Sequence, residues 1–490
     1  MNILLVYPQY PETFWSFKKV LKFVSKKAAF PPLGLLTVAS MLPKKWNKKL
    51  VDVNVKELDD KTIAWADMVF ISAMLIQKNG AQEVINRCKK QGKKVVVGGP
   101  AFTTGHDKFK GVDHFILNEA EVTLPLFLND LEKGNPKQIY TSKKRPDVTK
   151  TPLPMWSLIN IKEYATLSVQ YSRGCPFNCD FCDIIIMNGR VPRTKTPEQM
   201  MKEFDALYKT GWKGQVFIVD DNFIGHKNNV KEMLPLLIQW QKKHKFPFTF
   251  TTEASLNLAE DKELMSLMSA ANFNKVFLGF ETPSFDSLKE CSKLQNTKVN
   301  PAETVKLIHQ NGMQVMGGFI VGFDNDPINI FERQIKFIQE IGVVVAMVGL
   351  LNAMPQTRLW NRLKAEKRIL KDSTGENTDG SLNFIPKMGK EKLIQGYKKI
   401  ISSIYSPRHY YNRINKFIKH YKPTAKAKIT KDKVKAFFRS TWKIGVRSNE
   451  RFLYWKLLIK TFFTKRKALD IAVELAIFRN HFESIVKKTS

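Results

Sequence analysis

Three cysteines within eight residues carry the clearest chemistry in the chain. Cys175, Cys179 and Cys182 stand in Arg173-Gly-Cys-Pro-Phe-Asn-Cys-Asp-Phe-Cys182, a C-x3-C-x2-C spacing. Soft thiolates suit iron–sulfur clusters, and three in one short loop can hold three irons of a [4Fe–4S] cluster. The fourth iron then has no ligand from this loop, so a substrate or cofactor can coordinate there. A structural zinc site would want four protein ligands, usually in two separated pairs. No second pair exists: Cys88 and Cys291 are isolated and the eight histidines are scattered. A second candidate is Gly98-Gly99-Pro100, directly after the apolar run Val95–Val97. Glycines at the carboxyl end of a strand let a ligand approach the backbone closely.

These residues need elements to place them. Apolar runs at Ile3–Tyr7, Val51–Val55, Met68–Ala73, Lys94–Val97 and Val112–Leu117 predict short strands, with helices at Pro32–Leu42 and Ala81–Gln91. Strand–helix alternation at this spacing predicts a parallel, doubly wound sheet. Residues 131–165 hold Gly134, Pro136, Pro146, Pro152, Pro154 and the basic run Lys143-Lys144-Arg145, and predict a linker. A second series follows, with strands expected at Leu167–Tyr171, Gln215–Val219, Phe248–Thr252, Lys275–Phe280, Gln314–Val321 and Val343–Leu350. Helices are expected between them near 197–209, 228–243, 261–271, 301–311 and 328–340. Six such strands fit a partial parallel β/α barrel, since eight units typically need about 250 residues. Beyond residue 360 the strand signal fades, and 391–490 reads as helices. The expected boundaries are 1–135 for the first sheet, 136–165 for the linker, 166–360 for the barrel and 361–490 for the helical part.

Composition bounds the class. The chain has 490 residues, 43% hydrophobic and 25% charged, which excludes a disordered or collagen-like chain. Five cysteines are too few for a secreted disulfide framework, which points to a reduced, cytoplasmic setting. No basic leader precedes Asn2–Pro8, and no apolar stretch approaches the roughly 18 residues of a membrane span. The net charge is +34, and residues 391–490 carry 25 Lys/Arg against 6 Asp/Glu. A tail this basic suits a polyanionic surface, either nucleic acid or anionic membrane, or reflects solubility alone. No RNA-binding signature of the RRM, KH or OB type is present, which argues against nucleic acid. Within the tail, Phe452, Trp455, Leu458 and Phe462 recur at helical spacing beside Lys456 and Lys460. Such a stripe either lies at a bilayer interface or packs on the barrel.

The cysteine loop resembles the radical S-adenosylmethionine (SAM) superfamily, whose signature is C-x3-C-x-φ-C with an aromatic φ, here Phe181. The resemblance implies that the open iron binds SAM, which is cleaved to a 5′-deoxyadenosyl radical. Further motifs follow in the family's order. Val219-Asp220-Asp221-Asn222 is similar to the segment that binds the SAM amino group. Glu281, in Gly279-Phe-Glu-Thr, resembles the acidic position at the ribose. Gly318 and Gly322, in Gly317-Gly-Phe-Ile-Val-Gly322, resemble the glycines near the adenine. A Rossmann-like unit directly before such a barrel resembles the cobalamin-binding members. Ser72, Gly98, Gly99 and Glu119, the last in Asn118-Glu-Ala-Glu121, stand where those proteins face the corrin. The Asp-x-His-x-x-Gly motif that supplies a cobalt ligand elsewhere is absent, since Asp113-His114 has the wrong spacing.

The resemblance runs through the whole chain. Cys182-Asp-Ile-Ile, Gly189-Arg-Val-Pro-Arg-Thr-Lys-Thr-Pro197, Thr252-Glu-Ala-Ser-Leu-Asn257, Phe438-Arg-Ser-Thr-Trp442 and Tyr454-Trp-Lys-Leu-Leu458 are similar to the branch of hopanoid methylases and bacteriochlorophyll side-chain methylases. Large hydrophobic polycycles are the substrates of that branch. The implied activity is methylation of an unactivated carbon of a lipid, polycyclic terpenoid or tetrapyrrole. In that scheme the deoxyadenosyl radical removes a substrate hydrogen, methylcobalamin supplies the methyl group, and a second SAM restores it. The alternative is a radical SAM enzyme that forms or rearranges rings or C–C bonds without methyl transfer. The implied partners are the hydrophobic substrate, a one-electron donor such as ferredoxin or flavodoxin, and an anionic membrane surface that would hold the protein on the inner face. Arg193 and Lys195 are candidates for an anionic group in the site or for solvated loop charges. His226 reads as structural.

Overall fold

The computed structural model describes residues 1–376, 380–424, 426 and 430–489. Two parallel sheets of six strands lie in sequence along the chain. The first contains β1 (Asn2–Tyr7), β2 (Asn47–Asp52), β3 (Met68–Ser72), β4 (Lys94–Gly98), β5 (His114–Ile116) and β6 (Ile139–Tyr140), in the order β2-β1-β3-β4-β5-β6. The strand order reverses between β1 and β3. At such a switch point the loops leaving the carboxyl ends diverge to opposite faces and open a crevice. Helices cover both faces, so the strands are buried on both sides and read as continuous apolar runs such as Ile3–Val6 and Val95–Val97.

β6 falls inside the segment expected to be linker. Only two residues long, it gave no periodic signal, yet it pairs in parallel with β5 through Phe115↔Ile139 and Ile116↔Tyr140. The rest of that segment is anchored as well: the Tyr164 side chain is buried and donates to the Asp52 carboxylate at 3.1 Å.

The second sheet holds β7 (Leu167–Val169), β10 (Gly214–Ile218), β11 (Phe248–Ala254), β12 (Phe273–Glu281), β13 (Gln314–Val321) and β14 (Val345–Leu350), each paired with its predecessor. This monotonic parallel order is an open six-stranded barrel, as the six runs predicted. A short hairpin unforeseen in the sequence, β8 (Ser172–Arg173) with β9 (Arg193–Thr194), brackets the cysteine loop. Between strands the helices start on recognisable caps. Thr196 accepts from Gln199 N–H at 3.2 Å ahead of Pro197, and His226 accepts from Asn229 N–H at 3.3 Å. His226 is therefore a helix cap, in line with the structural reading.

The C-terminal part is helical: Lys390–Ile404, Pro407–His420, Lys431–Ser440, a π-helical turn Thr441–Val446, Arg451–Lys465 and Leu469–Thr489. Among the described residues it has no separate core. Tyr397, Tyr410, Leu457 and Phe482 join the same buried cluster as barrel residues Val216 and Val345. The stripe expected on Arg451–Lys465 divides: Leu458 is buried in that core, whereas Phe452, Trp455 and Phe462 are exposed. Among the described residues no helix is long and apolar enough to cross a membrane.

Candidate functional site

The cysteine loop leaves β8 at Gly174, where φ is +99°. A Cβ there would meet the carbonyl oxygens of Gly189 at 2.9 Å and Val191 at 3.0 Å, so the position needs glycine for both conformation and space. Backbone N–H groups tie the loop down, Cys175 donating to Gly189 O at 3.2 Å and Asp180 to Cys291 O at 3.0 Å. The aromatic position Phe181 packs 6.3 Å from Phe323, against a cluster that also contains Cys291, Leu359 and Phe384. Cys291 is thus core, and Cys88 is core of the first sheet. Burial raises the thiol pKa of Cys175, Cys179 and Cys182 alike, so without a cation these groups resist ionising. Among the described residues no three His, Cys, Asp or Glu side chains converge as the ligands of one metal ion would. A four-iron cluster asks for something different, each thiolate sitting on its own iron.

Asp220, Asp221 and Asn222 follow β10 and face this loop, each with a different task. Asp220 is buried and accepts from Tyr171 N–H at 2.7 Å, Ser172 N–H at 2.8 Å and the Ser172 hydroxyl at 2.6 Å. Burial pushes its pKa up to about 7 against those hydrogen bonds. Asp221 accepts from Gly174 N–H at 3.0 Å and Asn188 Nδ2 at 2.9 Å. The two aspartates therefore fasten the entry and exit of the cysteine loop. Asn222 points onward: its Nδ2 lies 3.9 Å from Cys175 Sγ, and its buried Oδ1 has no hydrogen-bond partner among the described residues. A buried amide oxygen left unpaired is costly, and an ammonium donor would satisfy it.

Glu281 ends β12 with φ at +63° and a register shift against β13. Its carboxylate is ion-paired with Lys293, and a Cβ on Gly279 would meet both charged groups at 2.5 Å. Burial alone would lower the Lys293 pKa; Glu281 beside it, with Cys179 nearby, more than offsets that and holds the ammonium above its ordinary value. Lys293 was invisible as a site residue, because only the fold brings it to Glu281. Gly318 faces Phe277, whose ring a Cβ would meet at 3.0 Å, and Gly322, at φ +110°, abuts Leu393. Glu253, within Thr252–Asn257, stands at the end of β11 beside the two aspartates. Burial, with Asp221 and Asp220 adding like charge, pushes it up to about 8.

On the first sheet Ser72, Gly98 and Gly99 do come together. Gly99 has φ +92°, and a Cβ on it would meet Ser72 Oγ at 2.6 Å. Ser72 and Gly98 pair across β3 and β4 at their carboxyl ends. Glu119 behaves otherwise. Its carboxylate is buried and held by Arg173 at 2.8 Å, Arg193 at 2.9 Å and Arg145 at 3.4 Å, while Arg173 also reaches Glu121 at 2.7 Å. Protein groups therefore occupy Glu119, and Arg193 is engaged with it rather than with a free anion. Lys195 likewise pairs with the buried Glu203. The Glu119–Arg173 contact has a larger consequence: it brings the carboxyl edge of the first sheet up against the cysteine loop.

Comparison with known proteins fits this arrangement. The radical SAM superfamily matches residues 169–338, a B12 binding domain matches residues 23–128, and a domain of unknown function matches residues 357–490. An uncharacterized methyltransferase of Synechocystis sp. is 43% identical over 93% of this chain and 86% of its own length. The hopanoid C-2 methylase of Rhodopseudomonas palustris is 32% identical over 94% of this chain and 89% of its own length. The chain belongs to the cobalamin-dependent radical SAM methyltransferases. A cobalamin-dependent SAM radical enzyme solved with aqua-cobalamin shares the fold, with TM-score 0.63 and 15% identity over 100% of this chain and 80% of that one. The cofactors of this radical SAM methyltransferase are accordingly a [4Fe–4S] cluster, SAM and cobalamin. The three partly buried thiols and the unpartnered Asn222 Oδ1 fit the first two.

Proposed function

We propose that this methyltransferase transfers a methyl group to an unactivated carbon of a hydrophobic substrate: a lipid, a polycyclic terpenoid or a tetrapyrrole. The observation that carries the substrate class is an aromatic group inside the barrel. Trp15, from the segment after β1, stacks on Phe217 of β10 at 6.2 Å and lies 5.1 Å from Phe277 of β12, while Phe30 is 5.3 Å from Phe217. Trp15, Phe30 and Phe277 are only partly buried, so their faces remain available to an apolar ring system.

When bound, the cofactors supply the radical and the methyl group. The chain contributes position. Cys175, Cys179 and Cys182 would hold three irons, with Asp220 and Asp221 fixing the loop that carries them. Asn222 Oδ1 would accept from the SAM amino group, Glu281 would receive the ribose, and Gly318 and Gly322, packed under Phe277 and Leu393, would lie near the adenine. Ser72, Gly98 and Gly99 would lie under the corrin, and the Glu119–Arg173 pair would set its distance from the cluster. Reduction calls for a one-electron donor of the ferredoxin or flavodoxin type. Units at 1–135, 166–360 and 361–490, joined by 136–165, describe this division of labour, with an anionic membrane surface as a further partner on the cytoplasmic side.

The test is anaerobic reconstitution with all three cofactors, followed by mass spectrometry of lipid and pigment extracts. A product heavier by one methylene unit supports methylation. A product with altered rings and no added methyl supports the alternative of ring formation or rearrangement.

A further inference from the structure

The helix Arg451–Lys465 is apolar on two opposite sides. Tyr454, Leu457, Leu458 and Thr461 face inward and are buried. Phe452, Trp455, Ile459, Phe462 and Phe463 face outward, Phe452 75% and Phe463 80% exposed. The preceding helix and π-turn continue the same surface with exposed Phe438, Trp442 and Val446. Large apolar groups gathered in this number on a surface mark an interaction site.

Charge selects the partner. Residues 431–467 contain twelve Lys or Arg and two acidic residues, Asp432 and Glu450. Glu450 turns inward to Arg479 at 2.7 Å, and Asp432 approaches Lys26 at 3.5 Å. Lys443, Arg447, Arg451, Lys456, Lys460, Arg466 and Lys467 are exposed among the aromatic side chains. Arg447 lies over Trp442, Arg451 over Phe452 and Arg466 over Phe462, at 5.2–5.3 Å. A second copy of the chain would bring cations against cations across a twofold axis. A bilayer interface with anionic headgroups accepts both components: rings enter the acyl boundary while the cations stay at the phosphates.

We infer that the outward face of residues 438–463 docks this protein on an anionic membrane leaflet. The inference deepens the proposed substrate reading by naming the surface from which a membrane-dissolved substrate would be drawn. Docking is peripheral, since no described helix can span.

The experiment uses the full chain with phosphatidylcholine vesicles prepared with and without phosphatidylglycerol. Co-sedimentation should require phosphatidylglycerol and weaken as salt is raised. The double variant Phe452→Ser/Phe463→Ser should lose at least about tenfold in partitioning. Lys456→Glu with Lys460→Glu should lose about fivefold per charge. All four side chains are exposed, so matching melting temperatures will certify folding. Equal binding by wild type and the aromatic variant overturns the inference, as does absence of binding at low salt. Lipid-free dimerisation abolished by the same variant, or an RNA probe displacing the vesicles, also overturns it. Methylation of detergent-dispersed substrate is read separately: its retention in the docking variants separates failure of this inference from failure of the substrate reading.

Discussion

The carboxylates around the cysteine loop and the aromatic rings on the outer C-terminal helices are treated in opposite ways. At the mouth between the sheets, Glu119, Glu121, Asp220, Asp221 and Glu281 are each held by named partners of the chain itself. On the outer face, Phe438, Trp442, Phe452 and Phe463 stand in solvent. A site that must fix a radical precursor against its target cannot tolerate mobile charges, because catalysis there depends on position. A surface that meets a fluid partner needs area and charge but no fixed geometry. One region is therefore sensitive to single atoms, and the other to totals.

The contrast breaks most completely at the cysteines. Cys175→Ala, Cys179→Ala or Cys182→Ala should abolish iron binding and SAM cleavage, measured by iron content and 5′-deoxyadenosine release. Cys88→Ala and Cys291→Ala should retain both, since those thiols lie in cores. Gly174→Ala should approach the effect of a cysteine loss, because its Cβ would strike two carbonyl oxygens. Next comes Arg173→Ala, which takes from the partly buried Glu121 its ion-pair partner and leaves Glu119 to Arg193 and Arg145; breaking a buried pair from one side costs about 3–5 kcal/mol, an upper bound here because both carboxylates keep other donors. Denaturant titration should show that loss, and Arg173→Lys should recover only part of it, having no planar fork for two carboxylates.

A smaller effect is expected from pH. His309 is buried against Phe417 and accepts from Val315 N–H at 3.3 Å, and burial, with the His420 charge, pushes its pKa from 6.5 down to about 3. Between those values the unfolded chain binds a proton that the native chain refuses, so stability falls as pH drops below 6.5. Relative to His309→Gln, wild type should lose about 1–2 kcal/mol on going from neutral pH to about 5. The smallest change in stability belongs to the outer face: Phe463→Ser should leave denaturant stability within about 0.5 kcal/mol while lowering vesicle binding.

What was legible in the sequence follows the same division. Strands β1 and β3 hold continuous apolar runs, and β10 and β13 hold shorter ones behind Gln215 and Gln314, because parallel strands are buried on both faces, and the cysteine spacing is a local pattern that needs no fold to be read. Gly98 and Gly99 could be placed because ligands approach the strand ends of a doubly wound sheet, and Ser72 through the resemblance to cobalamin-binding proteins. Glu119 could not, since its arginines come from residues 145, 173 and 193 and meet only in the folded chain. Lys293 likewise meets Glu281 only in the folded chain. On Arg451–Lys465 the spacing of apolar residues was correct, but a helix that is apolar on both sides does not announce which side packs, and so Leu458 was grouped with rings that face outward.

Methyl transfer by this protein should consume two SAM molecules per turnover. Reconstituted enzyme given SAM deuterated in its methyl group, with a lipid or pigment extract, reports on it directly. The expected result is 5′-deoxyadenosine and S-adenosylhomocysteine in equal amounts, each matching a product that carries the deuterated methyl on carbon. Formation of 5′-deoxyadenosine with altered product but neither S-adenosylhomocysteine nor label in that product would contradict it.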